Sequence, residues 1–223
     1  MWPPDLVVLV PVYNHATTVG AVVAAARALG APVLVVDDGS TDGSGATAQA
    51  AGAEILTHPV NRGKGAALSL GLEAAAAKGY ARVLACDADG QHPPAAVTSL
   101  MQAAEADHQA LWLGVRAMRH APLASRVGRW WTSVATWLAC GAWPHDNQTG
   151  LRIYPLPGMP ALGVRANRYS YEIEATVRAV RAGIPLRTCG VPVLYPKDRI
   201  SHFRGWRDTW RAIGTCTRLI CLR

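Results

Sequence analysis

Phenylalanine is nearly missing from this 223-residue chain: there is one, against eight tryptophans. Alanine is abundant, and the pair reads as compositional bias rather than function. Aromatic core volume must then come from elsewhere, and Trp130 and Trp137 are expected to fill it. Cysteine is scarce and scattered. The five residues, Cys86, Cys140, Cys189, Cys216 and Cys221, form no CxxC pair and no metal-ligand spacing. That excludes a disulfide framework or a structural zinc knot and fits the buried, reduced thiols of a cytoplasmic protein. No apolar run reaches about eighteen residues, so no membrane-spanning helix is expected. Asp5 interrupts the first apolar run and Pro11 ends it, unlike a secretory signal. Internal repeats and long linkers are absent, and so is a basic stripe beside a recognisable nucleic-acid module.

What is present suits one domain over 1–223, with a nucleotide-binding half (1–115) and an acceptor-binding half (116–223). Half of the residues are apolar. Lys and Arg number 22 against 15 Asp and Glu, a net charge of +7. The excess fits either a mildly basic surface or an anionic partner, such as a phosphate-bearing ligand or an acidic membrane.

Short β-branched runs stand at 6–13, 32–38, 53–58, 81–87 and 110–115, with Ala-rich helical stretches at 16–29, 44–51, 64–78 and 93–106. Near-continuously apolar strands alternating with helices predict a mostly parallel α/β sheet covered on both faces. In such sheets ligands bind beyond the carboxyl ends of the strands. The polar clusters fall there: "YNH", "DDGSTDGS" and "DADGQH". Further on, the pattern predicts a Trp-rich helix over 123–141, a loop "HDNQTG" entering a short strand, a helix over 169–183, an edge segment "IPLRTCGVPVLYP" and a helical tail from Phe203.

Asp87 and Asp89 lie two apart at a strand end. Two close carboxylates repel unless a cation sits between them, and Mg²⁺ or Mn²⁺ joins a few carboxylates to substrate phosphates, with Gln91 as a further oxygen donor. The competing reading is an acidic turn capping the helix at Pro93. In "VVDDGSTDGS", Gly39 permits the turn and Ser40 or Thr41 can cap a helix, whereas an aspartate at the strand end can also hold a base or ribose. "NRGKGAALSLG" puts Arg62 and Lys64 at a glycine turn opening a helix, which favours phosphate. It is not a Walker motif, because His58 stands at the first glycine position and Ala66 follows Gly65. "GSGATA" matches a dinucleotide glycine pattern only loosely and follows the second strand.

Taken in order, "VPVYN", "VVDDGSTDGS", "NRGKGAAL", "DADGQHPP", "DNQTGLRIY" and "SHF" resemble family 2 glycosyltransferases of the GT-A fold, on the bacterial branch similar to dolichyl- and polyprenyl-phosphate sugar synthases. The resemblance implies a UDP- or GDP-sugar donor, Mg²⁺ or Mn²⁺, inversion at the anomeric carbon, and a lipid-linked acceptor at the cytosolic membrane face. It assigns Pro11, Tyr13, Asn14, Asp37, Asp38, Lys64 and Ala88 to the nucleotide. Asp87, Asp89 and Gln91 go to the metal. Arg116, Arg126, Arg152, Arg199 and His202 go to the acceptor. Catalysis falls to Asp146, Asp89 and Lys64, with Asp146 the base for a hydroxyl acceptor or an orienting group for a phosphate. His15 stands where many members have Glu. Trp and Arg together suit a membrane interface, and between that and the core-filling role given to Trp130 and Trp137, the tail with Trp206 and Trp210 among Arg204, Arg207 and Arg211 takes the interface. The competing classes are a Rossmann-type oxidoreductase and a non-catalytic peripheral membrane protein.

Overall fold

The computed structural model describes residues 1–116, 123–166, 170–194, 214–215 and 217–221; the side chains of 123–126 are also outside the description. The elements run β1 (Leu6–Val12), α1 (Ala16–Ala28), β2 (Val33–Asp37), α2 (Ser44–Ala50), β3 (Glu54–Thr57), α3 (Lys64–Ala77), β4 (Arg82–Ala85), α4 (Pro94–Ala104), β5 (Leu111–Arg116), α5 (Leu123–Cys140), β6 (Arg152–Pro155), α6 (Ser170–Arg181) and β7 (Leu186–Val191). Every residue of β1, β2 and β4 is buried. Strands covered on both faces need no polar alternation, which is why the first half was so legible.

The seven strands are ordered β3-β2-β1-β4-β6-β5-β7. One face of β1 packs its Val8, Val10 and Val12 with α1, α2 and α4; the other packs Val7 and Leu9 with α3 and α6. The chain leaves β1 toward β2 on one side and β4 on the other. The strand order therefore reverses between β1 and β4, and a ligand crevice opens beyond their carboxyl ends.

Two features depart from expectation. β6 runs antiparallel between β4 and β5. After α5 the chain enters the sheet from its carboxyl edge, so the "DNQTG" turn sits beside the end of β4. The second departure is α5. Trp130 and Trp137, expected in the core, are 52 % and 50 % exposed. α5 instead buries Arg129, Thr132, Ser133 and Thr136, and Thr136 Oγ1 accepts from Asn147 Nδ2 at 2.7 Å. The polar turn beneath needs polar partners, and they come from this face. Trp2, Trp112, Tyr154 and Tyr171 supply the buried aromatic volume. β7 is an edge strand, as expected of a segment flanked by Pro185 and Pro192. Most of the tail lies outside the described residues.

Candidate active site

The first polar turn is built by cross-bracing. Asn14 sits at φ 53, its N–H donates to Ser40 Oγ, and its Oδ1 accepts from Thr41 N at 2.9 Å. Asp42 Oδ2 accepts from Ala16 N, and Asp42 Oδ1 accepts from Ser44 N. Asp42 rather than Ser40 or Thr41 therefore serves the start of α2. Asp37 Oδ1 accepts from Ser40 N. Asp38 is 2 % exposed and takes His58 Nδ1 at 2.7 Å, Arg62 N at 2.9 Å and Gly63 N at 2.6 Å. Its carboxylate fixes the turn that presents Lys64. Pro11 is buried within β1, Tyr13 is half-buried just beyond it, and Ala88 is buried with its carbonyl accepting from Thr18 Oγ1.

Lys64 is the first residue of α3, and Gly65 lets that terminus lie flat against the start of α6. A Cβ at Gly65 would stand 2.9 Å from Ala166 O and 3.0 Å from Tyr171. Lys64 Nζ lies 2.7 Å from Asp87 Oδ1 and 2.7 Å from Glu172 Oε1. Glu172 is 2 % exposed, and its Oε2 has no hydrogen-bond partner. Burial opposes the charge on Lys64, but the two carboxylates outweigh it and hold its pKa far above the usual amine value. Burial also opposes ionisation of Asp87, and Lys64 reverses that, lowering its pKa. Asp89 goes the other way: burial and the charge of Asp87 raise its pKa. Its Oδ1 accepts from Gln91 N and its Oδ2 from Gln91 Nε2. His92 has a buried Nδ1 with no partner, and burial lowers its pKa.

These groups suit a hard divalent cation. Two carboxylates share a strand end, one is pushed toward its protonated form for want of a counter-charge, and an imidazole nitrogen beside them is orphaned. Among the described residues no three of His, Cys, Asp and Glu converge to hold a metal alone. A divalent cation held by a few carboxylates takes its remaining oxygens from water or the phosphates of a ligand.

Across the crevice, Arg116 ends β5 and grips Asp146 with two bonds, Nε–Oδ2 at 2.7 Å and Nη2–Oδ1 at 3.0 Å. Arg129 Nη1 reaches the same Oδ2 at 3.4 Å. Burial raises the pKa of Asp146, but the two guanidiniums dominate and lower it. Gly150 sits against Asp87 so closely that a Cβ there would overlap its carboxylate. Arg152, expected to meet the acceptor, is fully buried. It donates to Thr149 O, Glu172 O, Thr176 Oγ1 and Asn147 O, which ties the "DNQTG" turn to α6 and leaves no surface for a ligand. The side chain of Arg126, and Arg199 and His202, lie outside the described residues. The sequence reading missed Glu172 and Arg129. Each is an ordinary charged residue in a helix, and only the packing brings it to the site.

The Glycosyl transferase family 2 profile matches residues 7–150. An uncharacterised protein of Methanocaldococcus jannaschii is 27 % identical over 206 residues, 89 % of this chain and 85 % of that one. Polyprenol monophosphomannose synthase of Mycolicibacterium smegmatis is 30 % identical over 209 residues, 86 % of this chain and 78 % of that one. The crystal structure of glucosyl-3-phosphoglycerate synthase from Mycobacterium tuberculosis, in complex with Mn²⁺, UDP and phosphoglyceric acid, superposes with a TM-score of 0.73 at 20 % identity, covering 96 % of this chain and 78 % of that one. The fold is GT-A, and the chain belongs to glycosyl transferase family 2 as a glycosyltransferase.

Proposed function

We propose that this protein transfers a sugar from a UDP- or GDP-sugar, with inversion, to a lipid phosphate of the polyprenyl type, acting as a single 1–223 domain at the cytosolic membrane face. The observation that carries this reading is the pairing of two unlike sites across one crevice: a lysine with two strand-end acids, and two arginines around one buried acid. A glycosyl transfer to phosphate needs both, a place for the leaving diphosphate and a place for the anionic nucleophile.

Asp87 and Asp89 would hold Mg²⁺ or Mn²⁺ with the donor diphosphate, and Gln91 braces Asp89. A bound divalent cation would supply charge stabilisation for the departing diphosphate. Lys64 adds a fixed positive charge beside it, held by Glu172 so that no reorganisation is needed as charge develops. Tyr13, Asn14 and Asp37 line the β1–β2 side, where the nucleoside would lie. Arg116, a fifth exposed, receives the acceptor phosphate, and buried Arg129 backs it through their shared Asp146. Asp146 orients them. A carboxylate with lowered basicity and both oxygens on guanidiniums is a poor proton acceptor. A phosphate acceptor needs none, being ionised at neutral pH, with its second pKa at about 6. The name of the Mycolicibacterium smegmatis relative, a polyprenol monophosphomannose synthase, supports the same acceptor chemistry.

The test is nucleotide release from a panel of UDP- and GDP-sugars with Mn²⁺ and a polyprenyl phosphate. Turnover that needs the lipid phosphate supports the reading. Turnover with hydroxyl acceptors alone rejects the phosphate acceptor.

A further inference from the structure

α5 is inside out. Val127, Trp130, Trp131, Trp137 and Leu138 are 47 %, 52 %, 60 %, 50 % and 47 % exposed. They recur at the three-, four- and seven-residue spacings that put side chains on one side of a helix. On the opposite side Arg129, Thr132, Ser133, Thr136 and Ala139 are buried. A water-facing helix normally has the reverse arrangement. Trp143, just beyond the helix, adds a further exposed ring, and the rings of Trp130 and Trp131 stand edge to face, 5.0 Å between centroids. An exposed apolar face of this kind marks a surface that meets something other than water.

We infer that this face of α5 is the lipid-contacting surface of the protein and lies in the plane of an anionic membrane. Three observations select lipid over a second protein. The exposed residues are dominated by tryptophan, whose ring suits the headgroup boundary. The sequence of α5 contains no acidic residue, so nothing on the helix repels anionic headgroups. The whole chain carries a net charge of +7, complementary to such a surface. Among the described residues no helix is long and apolar enough to cross a membrane, which leaves α5 lying on it rather than through it.

The placement gives the site its substrate. Arg129 projects from the buried side of the same helix to Asp146 and the Arg116 pair. A helix is about 10 Å across. A phosphate on a lipid anchored in the bilayer therefore has only the breadth of α5 to cover before it meets Arg116, which Arg129 backs through Asp146. This inference rests on the lipid-acceptor reading for its purpose, but membrane contact is measured without any turnover.

The experiment is co-sedimentation of the full chain with extruded vesicles, either phosphatidylcholine alone or mixed with phosphatidylglycerol, at physiological salt. Wild-type protein is expected to pellet with the mixed vesicles. The triple variant W130S/W131S/W137S, with unchanged circular dichroism, should partition at least about tenfold more weakly, because most of the inserted apolar area is gone. Should the triple variant fail to fold, the single variant Trp131→Phe is compared with wild type for quenching of tryptophan emission by lipids brominated near the headgroup; weaker quenching in the variant supports the inference. Failure of the wild type to bind, or unchanged binding by the folded triple variant, overturns it. So does a wild-type dimer that the variant converts to monomers without any vesicle binding. Transfer to a polyprenyl phosphate in detergent is measured in parallel. Vesicle binding without transfer rejects the acceptor reading and keeps the surface; transfer without vesicle binding does the reverse.

Discussion

Glu172 Oε1 lies 2.7 Å from Lys64 Nζ, and the same ammonium lies 2.7 Å from Asp87 Oδ1. One cation thus bridges the end of β4 and the first turn of α6. Glu172 is buried, with no solvent to share its charge. Its place in the structure is explained by what it does to Lys64, which is to hold the ammonium at the strand-end acids when Asp87 turns to another partner.

Replacing Glu172 with Gln should therefore weaken catalysis through Lys64. A fall of about ten- to a hundredfold in kcat, with a smaller change in KM for the donor, is expected from the loss of a positioned charge. Lys64→Ala should cost more, on the order of a hundred- to a thousandfold in kcat. Steady-state nucleotide release measures both. A raised KM with kcat unchanged would place Glu172 in simple donor binding.

Gly150 separates packing from charge at the same acid. An added methyl at Gly150 overlaps the Asp87 carboxylate, whereas one at Gly190 meets nothing within 4 Å. Gly150→Ala should destabilise by about 1–3 kcal/mol and displace Asp87. Gly190→Ala should leave both stability and turnover close to wild type. Thermal melts together with Mn²⁺ titrations of activity distinguish the two.

Asp146 has a pH signature. Its pKa is lowered in the folded state by Arg116 and Arg129, against burial. A depressed carboxylate stabilises the fold above its unfolded pKa of about 3.9 and loses that contribution as pH falls through the lower folded value. Stability should thus be level from neutral pH toward pH 5 and decline at more acidic pH. Asp146→Asn removes the buried carboxylate that Arg116 and Arg129 share and should cost roughly 3–5 kcal/mol at neutral pH. The gap between wild type and variant should narrow in acid. Denaturant melts across pH test it, and a gap independent of pH would contradict the pairing.

Much of this was legible in the residues. The α/β half followed from runs such as "LVVLVPV", whose strand is buried on both faces, and the acid pair at 87 and 89 announced itself by spacing. The parts that escaped depend on long-range packing. Amphipathic spacing in 123–140 says that α5 has two faces; it does not say which face the protein buries, and the polar "DNQTG" turn decided it. The reversed direction of β6 comes from where α5 returns the chain to the sheet. Asp38 and Arg152 sit in recognisable motifs, yet their partners are His58, the turn amides at 62–63, and the carbonyls of Asn147, Thr149 and Glu172. A motif marks where a charge stands, but only the fold shows what the charge holds.

The most direct measurement is sugar transfer to polyprenyl phosphate by the purified chain, with wild type and Asp89→Ala compared in Mn²⁺ and after chelation. Wild type should release UDP or GDP in step with formation of the lipid-phosphate sugar. Chelation or loss of Asp89 should lower that rate at least about a hundredfold. Turnover unchanged by both treatments, or binding of NAD(H) with none of UDP or GDP, would contradict the metal-assisted transfer proposed for this site.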